Sequence, residues 1–351
     1  MRRILAIAVT ALLVLSLASE ALAIPSGTKV KRFRGHLAFP VDMAWVKGTK
    51  KIFFTQKGGA VRVMKGRRLL TRSCVNLDVN SAGERGALGI ALHPRFKENH
   101  YLYVYYTNSS PLEHRVTRFR VRNNRCRSPK HIVRHINASS SGYHNGGQLE
   151  FVGGKLFVST GEAHSSSLAQ DRSNRLGKIL RYNPNGTIPK GNPYSSPGNK
   201  NPVWSYGHRN PFGLAHKPGT KRLYETENGP SCDDEVNRIK KGRNYGWGSG
   251  YNCGTKGVGP NPKGPLRRYS SIIIPTDPWW YKGRLKAMSG ALYMGDFNGA
   301  LHRLNLTGKG GRLKSDKVVY RASNGIVDVS KGPKGWLYFL TPRAIYRIVR
   351  D

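Results

Sequence analysis

Acid is what this 351-residue sequence has least of: 19 Asp and Glu stand against 59 Lys and Arg, a formal charge of +40. Such a field attracts polyanions and steers acidic ligands. The cations are nevertheless spread along the chain, with no long basic run and no recognisable nucleic-acid module. That pattern argues against a specific nucleic-acid partner and leaves adhesion to an anionic envelope polymer, or adaptation to an unusual medium, as its meaning.

Long apolar runs are missing too. The longest, Ile4 to Leu17, follows Arg2 and Arg3 and precedes Ala21-Leu22-Ala23, the small-x-small form of a cleavage site. It falls short of the roughly 20 apolar residues a spanning helix needs. The expectation is a signal peptide over 1–23 and a single domain over 24–351, secreted or periplasmic, with no transmembrane segment. An uncleaved membrane anchor is the alternative. Cysteine is sparse, and no CxxC spacing suggests a zinc or redox site. Cys74, Cys126, Cys232 and Cys253 are even in number, which in an oxidising compartment favours disulfides. Of three possible pairings, Cys74–Cys126 and Cys232–Cys253 join nearest neighbours in sequence.

Helix-period patterns are absent after residue 23, which excludes bundles and α/β layers. A short strand rich in β-branched and aromatic residues recurs instead, followed by a turn and a second strand ending near Arg. The pairs are Lys51–Thr55 with Ala60–Met64, Tyr101–Tyr106 with Val116–Val121, and Lys155–Thr160 with Gly177–Tyr182. Three more follow: Arg222–Thr226 with Glu235–Ile239, Ala291–Met294 with Ala300–Leu304, and Gly335–Leu340 with Ala344–Ile348. About six such units at blade spacing predict an all-β chain, a six-bladed β-propeller, with a β-sandwich as the alternative. Val30–Trp45 precedes the first unit and could supply the strand that closes the ring. Two Gly- and Pro-rich stretches, Asn183–Asn201 and Gly248–Pro265, read as surface connections between blades.

The chemistry concentrates in Gly207-His-Arg-Asn-Pro-Phe-Gly213, Glu227-Asn-Gly-Pro-Ser-Cys-Asp-Asp-Glu235 and Asn244-Tyr-Gly-Trp-Gly248. Three adjacent acids in an acid-poor chain, beside a Gly-Pro turn, suit an oxygen-liganded cation such as Ca²⁺; a solvated acidic turn is the plainer alternative.

In that order these motifs resemble the soluble glucose/sorbosone dehydrogenase family, six-bladed propellers that use pyrroloquinoline quinone and Ca²⁺. The likeness extends to Glu84–Pro94, Tyr143–Leu149, Ser159–Gly161 and Leu176–Arg181. It implies an exported quinoprotein that oxidises aldose sugars at the anomeric carbon to lactones and passes electrons to a separate acceptor. By position, His144 matches the general base, a role its ordinary pKa suits. Arg209 matches the arginine at the reactive quinone carbonyl. Glu84, Asn210 and Asn228 match cofactor contacts. The carbonyls of Gly229 and Pro230 match Ca²⁺ ligands, and Asp234, Glu235 and Tyr245 match a second, structural Ca²⁺ site.

The chain departs from the family where cations usually clamp the cofactor's carboxylates. The fifth-blade loop reads Gly295-Asp-Phe-Asn-Gly299, and the last blade reads Gly325-Ile-Val-Asp-Val329 in place of an Arg-x-Arg-Asp-Val stretch. Glu84 stands where sugar-oxidising members often carry Gln. These departures define a rival reading, a non-catalytic calcium-bearing propeller that binds an anionic polysaccharide or envelope polymer. Lactone hydrolysis on a calcium-centred propeller is a third.

Overall fold

The computed structural model describes residues 24–351; the expected signal peptide lies outside the described residues. Among the described residues no helix is long and apolar enough to cross a membrane.

Among the described residues the chain forms six antiparallel sheets whose innermost strands make a ring. Those strands are Pro40–Trp45, Ala87–Leu92, Gly146–Val152, Pro211–His216, Pro275–Tyr281 and Asp328–Lys331, in blades 1 to 6. The six strand pairs legible in the sequence are the second and third strands of the blades. Each blade is covered on both sides by its neighbours, so its second strand is apolar on both faces rather than alternating. Phe53, Phe54, Tyr103, Tyr105, Tyr224, Tyr293 and Phe339 on these strands are fully buried. The ring closes through the N-terminal strand Thr28–Arg34, which pairs with Ala344–Arg350 as the outermost strand of blade 6. Within Val30–Trp45, only the first part therefore closes the ring; Pro40–Trp45 starts blade 1.

Two expectations about loops need correcting. Asn183–Asn201 and Gly248–Pro265 do not connect blades. Each joins the third strand of a blade to its outermost strand, Val203–Tyr206 in blade 3 and Arg267–Tyr269 in blade 4. Those outer strands are so short that no periodicity marks them. The disulfides are Cys74–Cys126 and Cys232–Cys253, as expected. The first ties blade 1 to the outer strand of blade 2. The second ties the Asn228–Asp233 turn to the long loop of blade 4.

Three carboxylates on the channel axis hold adjacent inner strands in step. Asp42 accepts the amide of Ile90 at 2.6 Å, Asp328 that of Met43 at 3.0 Å, and Asp277 that of Leu214 at 3.0 Å. Burial pushes Asp42 up to about 7 and drives Asp277 and Asp328 well above the carboxylate range, helped by the neighbouring acids. Protonated partners let three acids share one channel.

Candidate active site

The inner strands all begin at one mouth of the channel, so the turns that precede them gather there. His144 lies two residues before the blade 3 inner strand and Arg209 two before that of blade 4. His144 is 9% exposed and sits in the left-handed region at φ 56°. Its backbone amide donates to Glu84 at 2.9 Å, and Glu84 also accepts from the side chain of Asn210 at 3.1 Å. The Asn210 amide oxygen in turn accepts from the Gly146 amide at 3.0 Å. Glu84 and Asn210 thus brace the turn that carries His144.

The imidazole is oriented by a residue the sequence reading passed over. Nδ1 of His144 is hydrogen bonded to Glu162, one residue beyond the quoted Ser159-Thr-Gly161 motif. Because an ionised carboxylate can only accept, Nδ1 carries the proton, and Nε2 is left as the basic nitrogen. Glu162 is 1% exposed, and its backbone amide donates to the Arg209 carbonyl at 2.9 Å, which joins base and arginine in one frame. The two loops touch closely because Gly161 lacks a side chain: a Cβ there would lie 2.0 Å from the His144 carbonyl oxygen. The His164 ring lies 4.1 Å from that of His144 and stacks on exposed Tyr143 at 5.9 Å. Burial, then the adjacent His144, holds His164 below its ordinary pKa.

Arg209 is held from three sides. Its backbone amide donates to Glu227, and its Nη1 donates to the carbonyls of Asn228 at 3.0 Å and Gly229 at 2.6 Å. Its guanidinium lies over Trp247 at 5.2 Å. Asn228 donates to the Pro275 carbonyl at 3.0 Å, which ties the turn to blade 5. Behind it, His208 bonds Glu227 at 3.0 Å and Ser205 at 2.9 Å. Burial pushes Glu227 upward, but His208 and the Arg209 amide outweigh it and keep it ionised. Glu225, wholly buried beside it, is driven well above the carboxylate range by burial and by Glu227.

The structure gives the remaining expected metal residues unequal freedom. Asp234 accepts from the Gly229 amide at 2.8 Å and from the Ile273 and Ile274 amides at 2.7 Å each, so its carboxylate clamps two loops. Tyr245 stacks on His208 at 4.7 Å, and its hydroxyl donates to the Arg238 carbonyl at 2.6 Å. Glu235 accepts from Asn237 at 3.0 Å and has Arg268 at 3.6 Å; burial pushes it up to about 8. Gly229, Pro230 and Glu235 share one small pocket with Arg209, Asn228 and Trp247.

Two orphaned donors indicate what that pocket suits. Arg209 Nε and Trp247 Nε1 are buried and bond no protein acceptor among the described residues. Each such group costs about 1–3 kcal/mol unless something satisfies it. A planar, anionic, oxygen-rich ligand would do so, and hard carbonyl and carboxylate oxygens alongside suit Ca²⁺. The residues present therefore fit a planar quinone cofactor with Ca²⁺ beside it. Trp247 lies inside the motif Asn244-Tyr-Gly-Trp, but its place in this pocket is not legible there because a lone indole carries no chemical signature in sequence.

Fold and site together describe a six-bladed propeller with a histidine–carboxylate pair and a buried arginine at one channel mouth, and comparison with known proteins gives its family. Residues 37–350 match the family model described as Glucose / Sorbosone dehydrogenase, and the chain belongs to that family. It is 30% identical to Aldose sugar dehydrogenase YliI of Escherichia coli (strain K12), over 93% of this chain and 93% of that one. Quinoprotein glucose dehydrogenase B of Acinetobacter calcoaceticus is 34% identical over 48% of this chain and 41% of its own. Among solved structures, the PQQ-bound aldose sugar dehydrogenase of Streptomyces coelicolor superposes with a TM-score of 0.79. It is 26% identical and covers 94% of this chain and 100% of its own.

Proposed function

We propose that this protein is an exported quinoprotein that oxidises aldose sugars at the anomeric carbon to lactones, using pyrroloquinoline quinone and Ca²⁺. The observation that carries this reading is the His144–Glu162 pair locked to Arg209 through the Glu162 amide. His144 Nε2 accepts the proton of the anomeric hydroxyl as the C1–H bond breaks with its electron pair. When bound, the quinone would supply the two-electron oxidant for this hydride, with a separate acceptor to regenerate it. Glu162 holds the imidazole in the tautomer that exposes Nε2 and balances the charge it gains. Arg209 presents a fixed cation, partly desolvated, where negative charge develops. Arg209, Asn228 and Trp247 would hold the quinone, and Gly229, Pro230 and Glu235 would supply oxygens to Ca²⁺. Reconstituting the purified protein with quinone and Ca²⁺ and following dye reduction with a panel of aldoses tests this. Quinone uptake with aldose-dependent turnover is expected; no uptake at micromolar concentration sinks the enzyme reading.

The rival reading, a calcium-bearing binding module, is favoured by one observation. The blade 5 and 6 loops at this mouth, Asp296–Gly299 and Asn324–Val327, contain no cation, and Phe297 there is 42% exposed. If it holds, polyanion retention is salt-sensitive and unchanged by His144→Ala, and no aldose is oxidised.

A further inference from the structure

The opposite mouth of the channel has a construction that sugar oxidation does not use. There the inner strands end, and a cavity of about 190 Å³ runs up the axis to Asp42, Asp277, Asp328 and Gln148. Beside it lies a groove of about 660 Å³, between the turn after the inner strand of blade 1 and the corresponding turn of blade 6. Trp45, Trp279 and Lys331 line both spaces, which makes them the shared wall.

The groove's remaining lining includes Lys47, Lys50 and Lys334, and no acidic residue. All four lysines are exposed, and none has an acidic partner within ion-pair distance among the described residues. Lys97 adds a fifth cation at the rim: its Nζ would lie 3.3 Å from a Cβ placed on Gly48. Arg284 adds a sixth, stacked over Trp336 at 5.4 Å, with its amide bonded to the Gly335 carbonyl at 3.0 Å. Cations crowded without counter-charge repel one another and raise the local potential, so a ligand with spaced anionic groups relieves the strain.

Charge alone would describe any polyanion; the two indoles and the axial cavity select among them. Trp45 and Trp279 are only partly buried, and an indole face packs against the C–H face of a pyranose ring. The adjoining axial cavity carries Gln148, Asp42, Asp277 and Asp328, polar side chains that hydrogen bond sugar hydroxyls. We propose that this groove is a non-catalytic docking site for an anionic polysaccharide, a chain of sugar rings bearing carboxylate or sulfate groups. Trp45 and Trp279 form its platform, and Lys47, Lys50, Lys331 and Lys334 pair with the anions. Because it lies at the far mouth from His144 and Arg209, docking leaves the catalytic mouth open to solvent.

The test is direct binding of the full-length mature protein, without quinone, to polygalacturonate, dextran sulfate, neutral dextran and duplex DNA near physiological ionic strength. Omitting the quinone keeps the result independent of the proposed oxidation. The variant Lys331→Gln/Lys334→Gln is compared with Lys309→Gln/Lys314→Gln, the same charge change at exposed lysines on blade 5. The groove pair is expected to weaken both anionic polysaccharides about tenfold and the blade 5 pair less than about twofold. Trp279→Ala is expected to cost about fivefold more for polysaccharide than for DNA, with Trp279→Phe restoring most of it. Equal losses in both lysine pairs overturn the site in favour of general charge attraction. DNA binding as tight as polysaccharide, with Trp279→Phe no better than Trp279→Ala, overturns the choice of ligand.

Discussion

The turns of blades 3 and 4 and those of blades 5 and 6 face each other across one channel mouth, yet they are built to different standards. On the first side His144, Glu162, Arg209, Glu227 and Asn228 form one connected network, with Arg209 bonded at three points. On the second side the loops carry Phe297, Asn298, Asn324 and Gly325, and Phe297 stands open to solvent. On the proposed function, the difference means that the chemistry and the grip on a cofactor are separable. Preorganised polar groups make a reaction centre, while affinity for a tricarboxylate depends on charge-assisted bonds from elsewhere.

If blades 3 and 4 hold the chemistry, damage there has the largest effect. His144→Ala is expected to lower kcat about 10²- to 10⁴-fold with little change in quinone uptake, measured by dye-linked turnover and by titration. Arg209→Lys keeps the charge but loses the planar guanidinium that lies over Trp247 and reaches the Asn228 and Gly229 carbonyls through Nη1, so a fall of about 10²-fold in kcat is expected. Glu162→Gln should cost about tenfold, because an amide no longer imposes one imidazole tautomer; kcat falls while KM for the sugar stays.

How much of this contrast was legible beforehand depended on the kind of residue. Second and third strands announce themselves, because burial on both faces selects runs such as Tyr101–Tyr106. Inner strands do not: Pro275-Thr-Asp-Pro and Gly146-Gly-Gln turn polar groups into the channel, and Asp42 reads as a surface acid until five other blades surround it. Glu162 was illegible for a related reason. Its partner is 18 residues away, and only the fold brings the Gly161 turn against His144. Arg209, Gly229 and Pro230 sit in dense motifs, so order along the chain sufficed to name them as candidates, and the fold brings them into one pocket. The outer strands of blades 3 and 4 were too short to show any period.

A gain of function examines the weaker side. Phe297→Arg places a cation in the blade 5 loop, and quinone affinity is expected to rise about tenfold with kcat unchanged. No gain would mean that this loop does not face the bound cofactor. The smallest effect is expected on the axis the two halves share. Asp42 is raised in the folded state to about 7 from an ordinary 3.8, so the stability it confers is full below about pH 4. That stability is lost as pH rises through about 7, where the buried group must ionise. Asp42→Asn should therefore match the parent near pH 4 and melt a few degrees higher near pH 8, by thermal unfolding across pH.

The most direct measurement is a titration of the cofactor-free protein with pyrroloquinoline quinone, with and without Ca²⁺, followed by absorbance and calorimetry. The account predicts saturable, Ca²⁺-dependent uptake that is weak but real, retained in His144→Ala and abolished in Arg209→Ala. Uptake that ignores Ca²⁺ and Arg209, or none at micromolar concentration, would contradict it.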